Sequence, residues 1–336
     1  YTHYLSRDTV QFLQENVTKK MQFDNTYYQQ DWYLSAVNMY SILPVWDVSL
    51  SVDFQYNKLN AVMRGVGTPF TFPQRYTTWA ALATALNLGK WKLQADVLGT
   101  FVIEKVRNNV EAPDKSEFSP ALIVGYKPFS NQDLNLRAFY KRIFRLPTFN
   151  DLYYAQIGFS QLNPEFTNQF NIGGSYQKTF KTGMIDRIAL QMDVYYAAIT
   201  DKIIAAPTGS SFRWMMTNMG KVESKGVDVS TAVSGHVGLL KLHTNLAYSF
   251  TKAQDFTKIN GKKLSSYGDQ IPYTPWHSGS VIAGAEYGTW ALNYSFIYVG
   301  ERYNGAVNNI PRNYVEPWYT HDFFLQKEFR IRSRYL

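Results

Sequence analysis

Val48-Ser49-Leu50-Ser51-Val52-Asp53-Phe54-Gln55-Tyr56-Asn57 decides the fold. Val48, Leu50, Val52, Phe54 and Tyr56 are apolar, and every residue between them is polar. Successive side chains of a strand point to opposite faces, so this run is a β-strand held between two unlike environments. The pattern recurs along the chain. Leu93, Ala95, Val97, Phe101 and Ile103 alternate with Lys92, Gln94, Asp96, Thr100 and Glu104. Ile188, Leu190, Met192, Val194 and Tyr196 alternate with Gln191, Asp193 and Tyr195. Leu240, Leu242, Leu246, Tyr248 and Phe250 alternate with Lys241, His243, Asn245, Ser249 and Thr251, and Trp290, Leu292, Tyr294, Phe296 and Tyr298 with Asn293 and Ser295.

Further strands are expected at about 23–41, 75–87, 117–127, 166–180, 219–233 and 276–287. With the run that ends near 145, about thirteen strands follow the tail of another at 1–7, and 8–22 reads as a polar loop. The connections alternate in length. Short turns fall at 42–46, 87–90, 127–133, 181–185, 234–239 and 288–289, and long loops at about 59–75, 106–117, 146–165, 203–218, 254–275 and 302–317. Short turns at one end and long loops at the other are what a barrel inserted in one direction requires, and a sandwich or propeller has no reason to keep that rule. The strands also exceed the ~10 residues needed to cross an outer membrane. The expected fold is therefore all-β: a transmembrane antiparallel up-and-down β-barrel whose polar faces line a lumen.

Composition agrees. Aromatic residues make up 16% of the chain, with 25 Tyr, 22 Phe and 8 Trp, and Tyr and Trp favour membrane–water boundaries. Trp46, Trp91 and Trp290 each follow a short turn, where a periplasmic aromatic girdle would lie. No apolar run approaches the ~20 residues of a membrane helix, which does not argue against strands. The start of the sequence carries no signal-peptide pattern. The absence of cysteine removes disulfide and thiol chemistry. A net charge of +8 spread along the chain, with no stripe or arm, does not make a nucleic-acid interface; on the outer tips it would suit anionic lipopolysaccharide.

No catalytic or metal-ligating constellation stands out. His3, His236, His243, His277 and His321 lack ligand spacing, and Gly65-Val66-Gly67 lacks the strand-to-helix context of a phosphate loop. The protein reads as a non-enzyme without cofactor or metal. Its informative chemistry is aromatic residues beside amides in the long loops, the make-up of a contact surface that can also hydrogen-bond. The candidate substrate-binding residues are Phe70, Phe72, Tyr153, Tyr154, Phe159, Phe212, Trp214, Tyr303 and Tyr314.

Three motifs add a family resemblance. Phe144-Arg145-Leu146-Pro147-Thr148-Phe149-Asn150-Asp151-Leu152-Tyr153, followed by Leu162-Asn163-Pro164-Glu165, resembles a signature of TonB-dependent outer-membrane transporters. Asn218 with Ser224-Lys225-Gly226-Val227-Asp228 resembles that family's Asn…Gly-Val-Glu strand, and Ile271-Pro272-Tyr273-Thr274-Pro275-Trp276-His277 its Pro-x-x-Pro approach to a late strand. The resemblance covers nearly the whole chain and gives Arg145, Pro147, Asp151, Tyr153, Pro164, Glu165 and Gly226 structural roles. It implies a 22-stranded barrel around an N-terminal plug, of which residues 1–336 would be the middle and later part, without plug, first strands or last strands. It also implies a Gram-negative outer-membrane location with the long loops extracellular, and import of a large scarce nutrient driven through TonB, whose contacts lie on the missing N-terminal part. The likeness around 145–154 is to the cobalamin branch of Bacteroides-like bacteria, with a ferric siderophore or haem as alternatives and a surface lipoprotein as a possible further partner. A passive porin, an adhesin or phage receptor, and a soluble β-protein are the competing classes.

Overall fold

The structure, a computed structural model, describes residues 2–14, 17–64, 70–154, 158–207, 214–259 and 261–329. Its strands are β1 (Thr2–Gln14), β2 (Val17–Leu43), β3 (Trp46–Arg64), β4 (Gln74–Leu88), β5 (Trp91–Lys105), β6 (Lys115–Tyr126) and β7 (Asp133–Arg145). A short helix, α1 (Phe149–Tyr153), precedes β8 (Glu165–Thr179), β9 (Ile185–Pro207), β10 (Trp214–Val237) and β11 (Leu240–Asp255). Then come β12 (Lys258–Ile259), β13 (Lys262–Lys263), β14 (His277–Tyr287), β15 (Trp290–Val299), β16 (Arg302–Tyr303), β17 (Tyr314–Val315) and β18 (Trp318–Lys327).

Fourteen of these strands make one sheet in the order β1-β2-β3-β4-β5-β6-β7-β8-β9-β10-β11-β14-β15-β18, each strand beside its neighbour in sequence and antiparallel to it. This is the up-and-down meander that the loop-length rule predicts. All six expected short turns join their strands. At three of them a glycine takes the first central position with positive φ (Gly89 at 63°, Gly238 and Gly288 at 59°), as a two-residue hairpin with glycine first requires.

The register confirms the two faces. Leu50 pairs with Leu82, Leu82 with Val97 and Val97 with Pro120, so one row of apolar side chains runs across four strands. Seven residues further along β3, an odd number that reaches the opposite face, Asn57 pairs with Arg75 and Arg75 with Glu104, on the polar face. Leu50, Val52, Phe54, Leu190, Met192, Val194, Leu242 and Leu246 all stand exposed on the apolar face. A regular two-residue repeat of exposed large apolar side chains is a surface built for hydrocarbon, because water would penalise it along every strand.

Polar order on the inner face depends on two glycines. Arg137, Gly173, Asp193 and Asp228 lie on one rung of four successive strands. The Arg137 guanidinium reaches across Gly173 to Asp193, with Nε donating to Oδ1 at 3.2 Å and Nη2 to Oδ2 at 2.5 Å. A Cβ at Gly173 would collide with that carboxylate. Two strands further along, the Tyr195 ring lies over Gly226 and its hydroxyl is 3.2 Å from Thr251 Oγ1.

Three expectations are corrected. The segment 8–22, read as a polar loop, continues the sheet as a hairpin closing at Gln14↔Val17, since ladder pairing above the lipid needs only backbone groups. The connection placed at 203–218 is shorter: β9 and β10 stay paired up to Pro207↔Trp214. The segment 146–165, read as loop along its whole length, contains one turn of helix, α1. One seam is also thin. The pairing of β6 with β7 ends at Ala121↔Lys141; beyond it Pro120 has no N–H, and Arg142 Nη1 donates to the Phe118 carbonyl at 2.9 Å.

Candidate functional site

The long connections at the upper end of the sheet fold onto one another. Thr148 begins α1 with a capping box: its Oγ1 accepts from Asp151 N–H at 3.2 Å, and Asp151 Oδ2 accepts from Thr148 N–H at 2.8 Å. The helix is one turn long and is fixed by its packing. Phe149, Leu152 and Tyr153 are buried with Tyr27, Leu59, Phe70, Ala112, Leu162 and Ile203, so the 146–165 loop, the 70–73 segment and the 106–114 loop share one core. Phe70 meets Phe72 and Tyr27 edge-on, and Tyr27 stacks on Tyr154 at 6.0 Å.

Beneath this core lies a buried ion pair. Arg75 Nε donates to Glu104 Oε1 at 2.6 Å, its Nη2 donates to the Pro147 carbonyl at 2.9 Å, and the guanidinium sits 5.0 Å from the centre of the Phe149 ring. Glu104 is 2% exposed, and its Oε2 has no hydrogen-bond partner. Arg75 thus ties the wall of the sheet to the point where the loop leaves it. Burial, with Glu104 close by, pushes the Tyr153 phenol up to about 12. A raised tyrosine pKa contributes stability that is present below the ordinary value near 10 and is lost as pH rises through 12. The expected outcome is loosening of the loop core only in that alkaline window, with a late tyrosinate absorbance step that Tyr153→Phe abolishes.

The motif residues form a clamp around this root. Arg145 Nη1 meets Glu165 Oε2 at 3.2 Å and its Nη2 lies 3.8 Å from Asp151 Oδ2, while Glu165 Oε2 also accepts from Ile203 N–H at 3.0 Å. At the far end of the loop Asn218 Oδ1 accepts from Asn163 N–H at 2.9 Å, and its Nδ2 donates to the carbonyls of Asn163 at 3.0 Å and Asp201 at 2.7 Å. Pro164 lies between these two anchors. Thr148→Ala removes the cap and is expected to cost about 1 kcal/mol of local stability, read as faster amide exchange over 149–153.

The expected ligand-contacting residues separate. Phe70 and Tyr153 are buried at 5% and 6%, and they pack the loop core, where apolar area finds more contact than at the surface. Phe72 and Tyr154 pack partly buried against the same core. Phe159 and Tyr314 are exposed, and Tyr303 pairs with Tyr314 across the β16–β17 hairpin with rings 6.2 Å apart. Trp214 is the first residue of β10, and Phe212 lies outside the described residues.

Sequence reasoning missed a second loop unit. Gln270 is 1% exposed; its Oε1 accepts from Ala253 N–H at 2.9 Å and its Nε2 donates to the carbonyls of Thr251 and Thr274. Asn308, from the next long loop, accepts from Gln270 N–H at 2.6 Å and donates to its carbonyl at 3.0 Å. The 256–276 and 300–317 connections therefore form one body, with Tyr273 exposed at its edge in a positive-φ conformation (58°). A glutamine in a polar loop carries no sequence signal for such a role.

Below the first loop core, the inner face of β3–β7 encloses a half-open recess of about 600 Å³. Arg75, Lys141, Arg142 and Arg145 line it with Asp96, Trp79 and Phe144; Arg75 is paired with Glu104, Arg142 with Glu117 at 3.5 Å and Arg145 with Glu165, which leaves Lys141 as the lining cation without an ion pair among the described residues. Among the described residues no three His, Asp or Glu side chains come together to hold a metal ion.

The structure superposes on the ferric citrate transporter FecA in its unliganded form (TM-score 0.66, 13% identity, 98% of this chain and 51% of that one). It superposes as well on the siderophore receptor PiuA from Acinetobacter baumannii (TM-score 0.64, 10% identity, 93% and 51%). A third match is a double mutant of the Serratia marcescens hemophore receptor HasR in complex with its hemophore HasA and haem (TM-score 0.66, 12% identity, 93% and 56%). At such identities these likenesses concern the fold, and the chain spans about half the length of the proteins it matches. The family described as TonB dependent receptor-like, beta-barrel, matches residues 1–335, and the chain belongs to it.

Proposed function

We propose that the protein of which this barrel wall is part imports a large, scarce nutrient across a Gram-negative outer membrane, driven through TonB, with its long loops facing outward. The observation that carries this reading is the recess under a folded loop core, with the unpaired Lys141 in it, on a sheet whose outer face carries a regular repeat of exposed apolar side chains. Lys141 stands in that recess with no carboxylate partner among the described residues, its ammonium 5.1 Å from the centre of the Phe139 ring. Cations beside aromatic rings in a concave, partly desolvated surface favour an anionic, ring-bearing ligand.

Cobalamin is the substrate to which the likeness around 145–154 points. Those residues serve the clamp and the loop core, so they carry little information on the cargo. The recess favours an anionic ferric chelate, a siderophore or haem, over a neutral corrinoid. The exposed Phe159 and Tyr314, with the half-buried Tyr303 beside Tyr314, are the aromatics we assign to first capture. The test is a titration of the full-length protein with a ferric siderophore panel, haem and cyanocobalamin. Binding of a ferric chelate that weakens in Lys141→Gln supports the reading. Binding of cyanocobalamin alone overturns the anionic assignment, and binding of none overturns capture by this site.

A further inference from the structure

We infer that Lys225 and Lys252, paired across β10 and β11 on the outer face, bind the phosphate of an outer-leaflet glycolipid. The inference rests on the outer-membrane reading above and adds a site to it. The two lysines are direct partners in the ladder. Like charges directly opposite one another destabilise a strand pair, so this arrangement calls for an anion.

The surroundings supply none. Lys225 lies 5.6 Å from the centre of the Tyr196 ring and Lys252 6.0 Å from that of Trp276, and among the described residues neither ammonium is in ion-pair contact with a carboxylate. The nearest acidic neighbour on this face, Glu223, is already bound to Lys221 at 2.8 Å. On the adjoining β14, His277 holds the Tyr248 hydroxyl at 2.8 Å and packs on Phe250. Together, Lys221, Glu223, Lys225 and Lys252 leave two net positive charges on a patch floored by aromatic rings.

Its height matches a headgroup. The outward column of β10 runs Val237, Gly235, Val233, Thr231, Val229 and Val227 before Lys225, and that of β11 runs Leu240, Leu242, Thr244, Leu246, Tyr248 and Phe250 before Lys252. No charge interrupts either column. Counted from the short turn, the lysines stand roughly 30 Å up a tilted strand, just above an apolar band about 25 Å tall. At that level an outer-leaflet glycolipid presents its phosphate, while its acyl chains lie along the valine and leucine columns.

The experiment reconstitutes the full-length protein in nanodiscs and measures its affinity for a phosphorylated lipid A, its dephosphorylated form and phosphatidylglycerol. The double variant Lys225→Gln/Lys252→Gln is expected to bind the phosphorylated glycolipid roughly 30-fold more weakly. Lys225→Arg/Lys252→Arg should retain the parent's affinity. Equal affinity in the parent and the glutamine variant overturns the site. A preference for phosphatidylglycerol, or for the dephosphorylated form, overturns the glycolipid phosphate as its occupant. Heat-shifted gel mobility, read on the same samples, reports the barrel separately: its absence would count against the outer-membrane reading, and its presence without lipid binding against this site alone.

Discussion

Replacing Arg75 by alanine is expected to release the first loop core at a cost of about 3–5 kcal/mol, the usual consequence of removing one partner of a buried ion pair. The reason lies in what would be left. Glu104 is 2% exposed and already has one oxygen without a partner. Without Arg75 its other oxygen loses a donor at 2.6 Å, the Pro147 carbonyl loses one at 2.9 Å, and Phe149 loses the cation beside its ring. Opening the loop is then easier than keeping an uncompensated carboxylate buried. Amide exchange should rise over 106–114 and 146–154 in the full-length protein, while heat-shifted mobility, which reports the strand ladder, stays unchanged. The double variant Arg75→Ala/Glu104→Leu should recover part of the loss. If the single variant leaves loop exchange as it was, the ion pair does not root the loop.

A second large effect is expected at Gly226. The Tyr195 ring occupies the space a Cβ would take, and its hydroxyl meets Thr251. Gly226→Ala therefore forces the ring off its position in a paired ladder, at about 1–3 kcal/mol, the usual range for overpacking. Tyr195→Ala in the same chain should restore the loss, because the obstruction is that ring. Melting of the single and double variants decides it; a double variant no more stable than Gly226→Ala would place the strain elsewhere.

These two sites show where the sequence is readable and where it stops being so. Alternation makes a strand such as 48–57 legible on its own, because one residue of slip would turn every apolar side chain to the wrong face. Loop-length alternation then fixes the meander. The interior of the loops follows from contacts between residues far apart in sequence: Arg75 and Glu104 meet only once the register of β4 and β5 is set, and Asn218 clamps Asn163 across 55 residues. Helix α1 did leave a signal, Thr148 three residues before Asp151, in a stretch otherwise read as aromatic contact surface. The burial of the aromatics in these loops is not legible in the same way: Phe70 and Tyr153 lie in the loop core. Phe70 and Tyr153 look like ligand aromatics because loops that must pack on one another use the same residue types as loops that bind. The 8–22 segment misleads for a related reason: outside the lipid a strand needs no apolar face, so alternation vanishes while pairing persists.

The central claim is energised import through a barrel of this family, and it is tested most directly by uptake. Cells carrying the full-length protein are given the ferric chelate that binds it, with and without TonB. Binding at the surface should be the same in both, and accumulation inside should stop when TonB is absent. Accumulation that continues without TonB, in proportion to external concentration, would contradict the account and make the protein a passive channel.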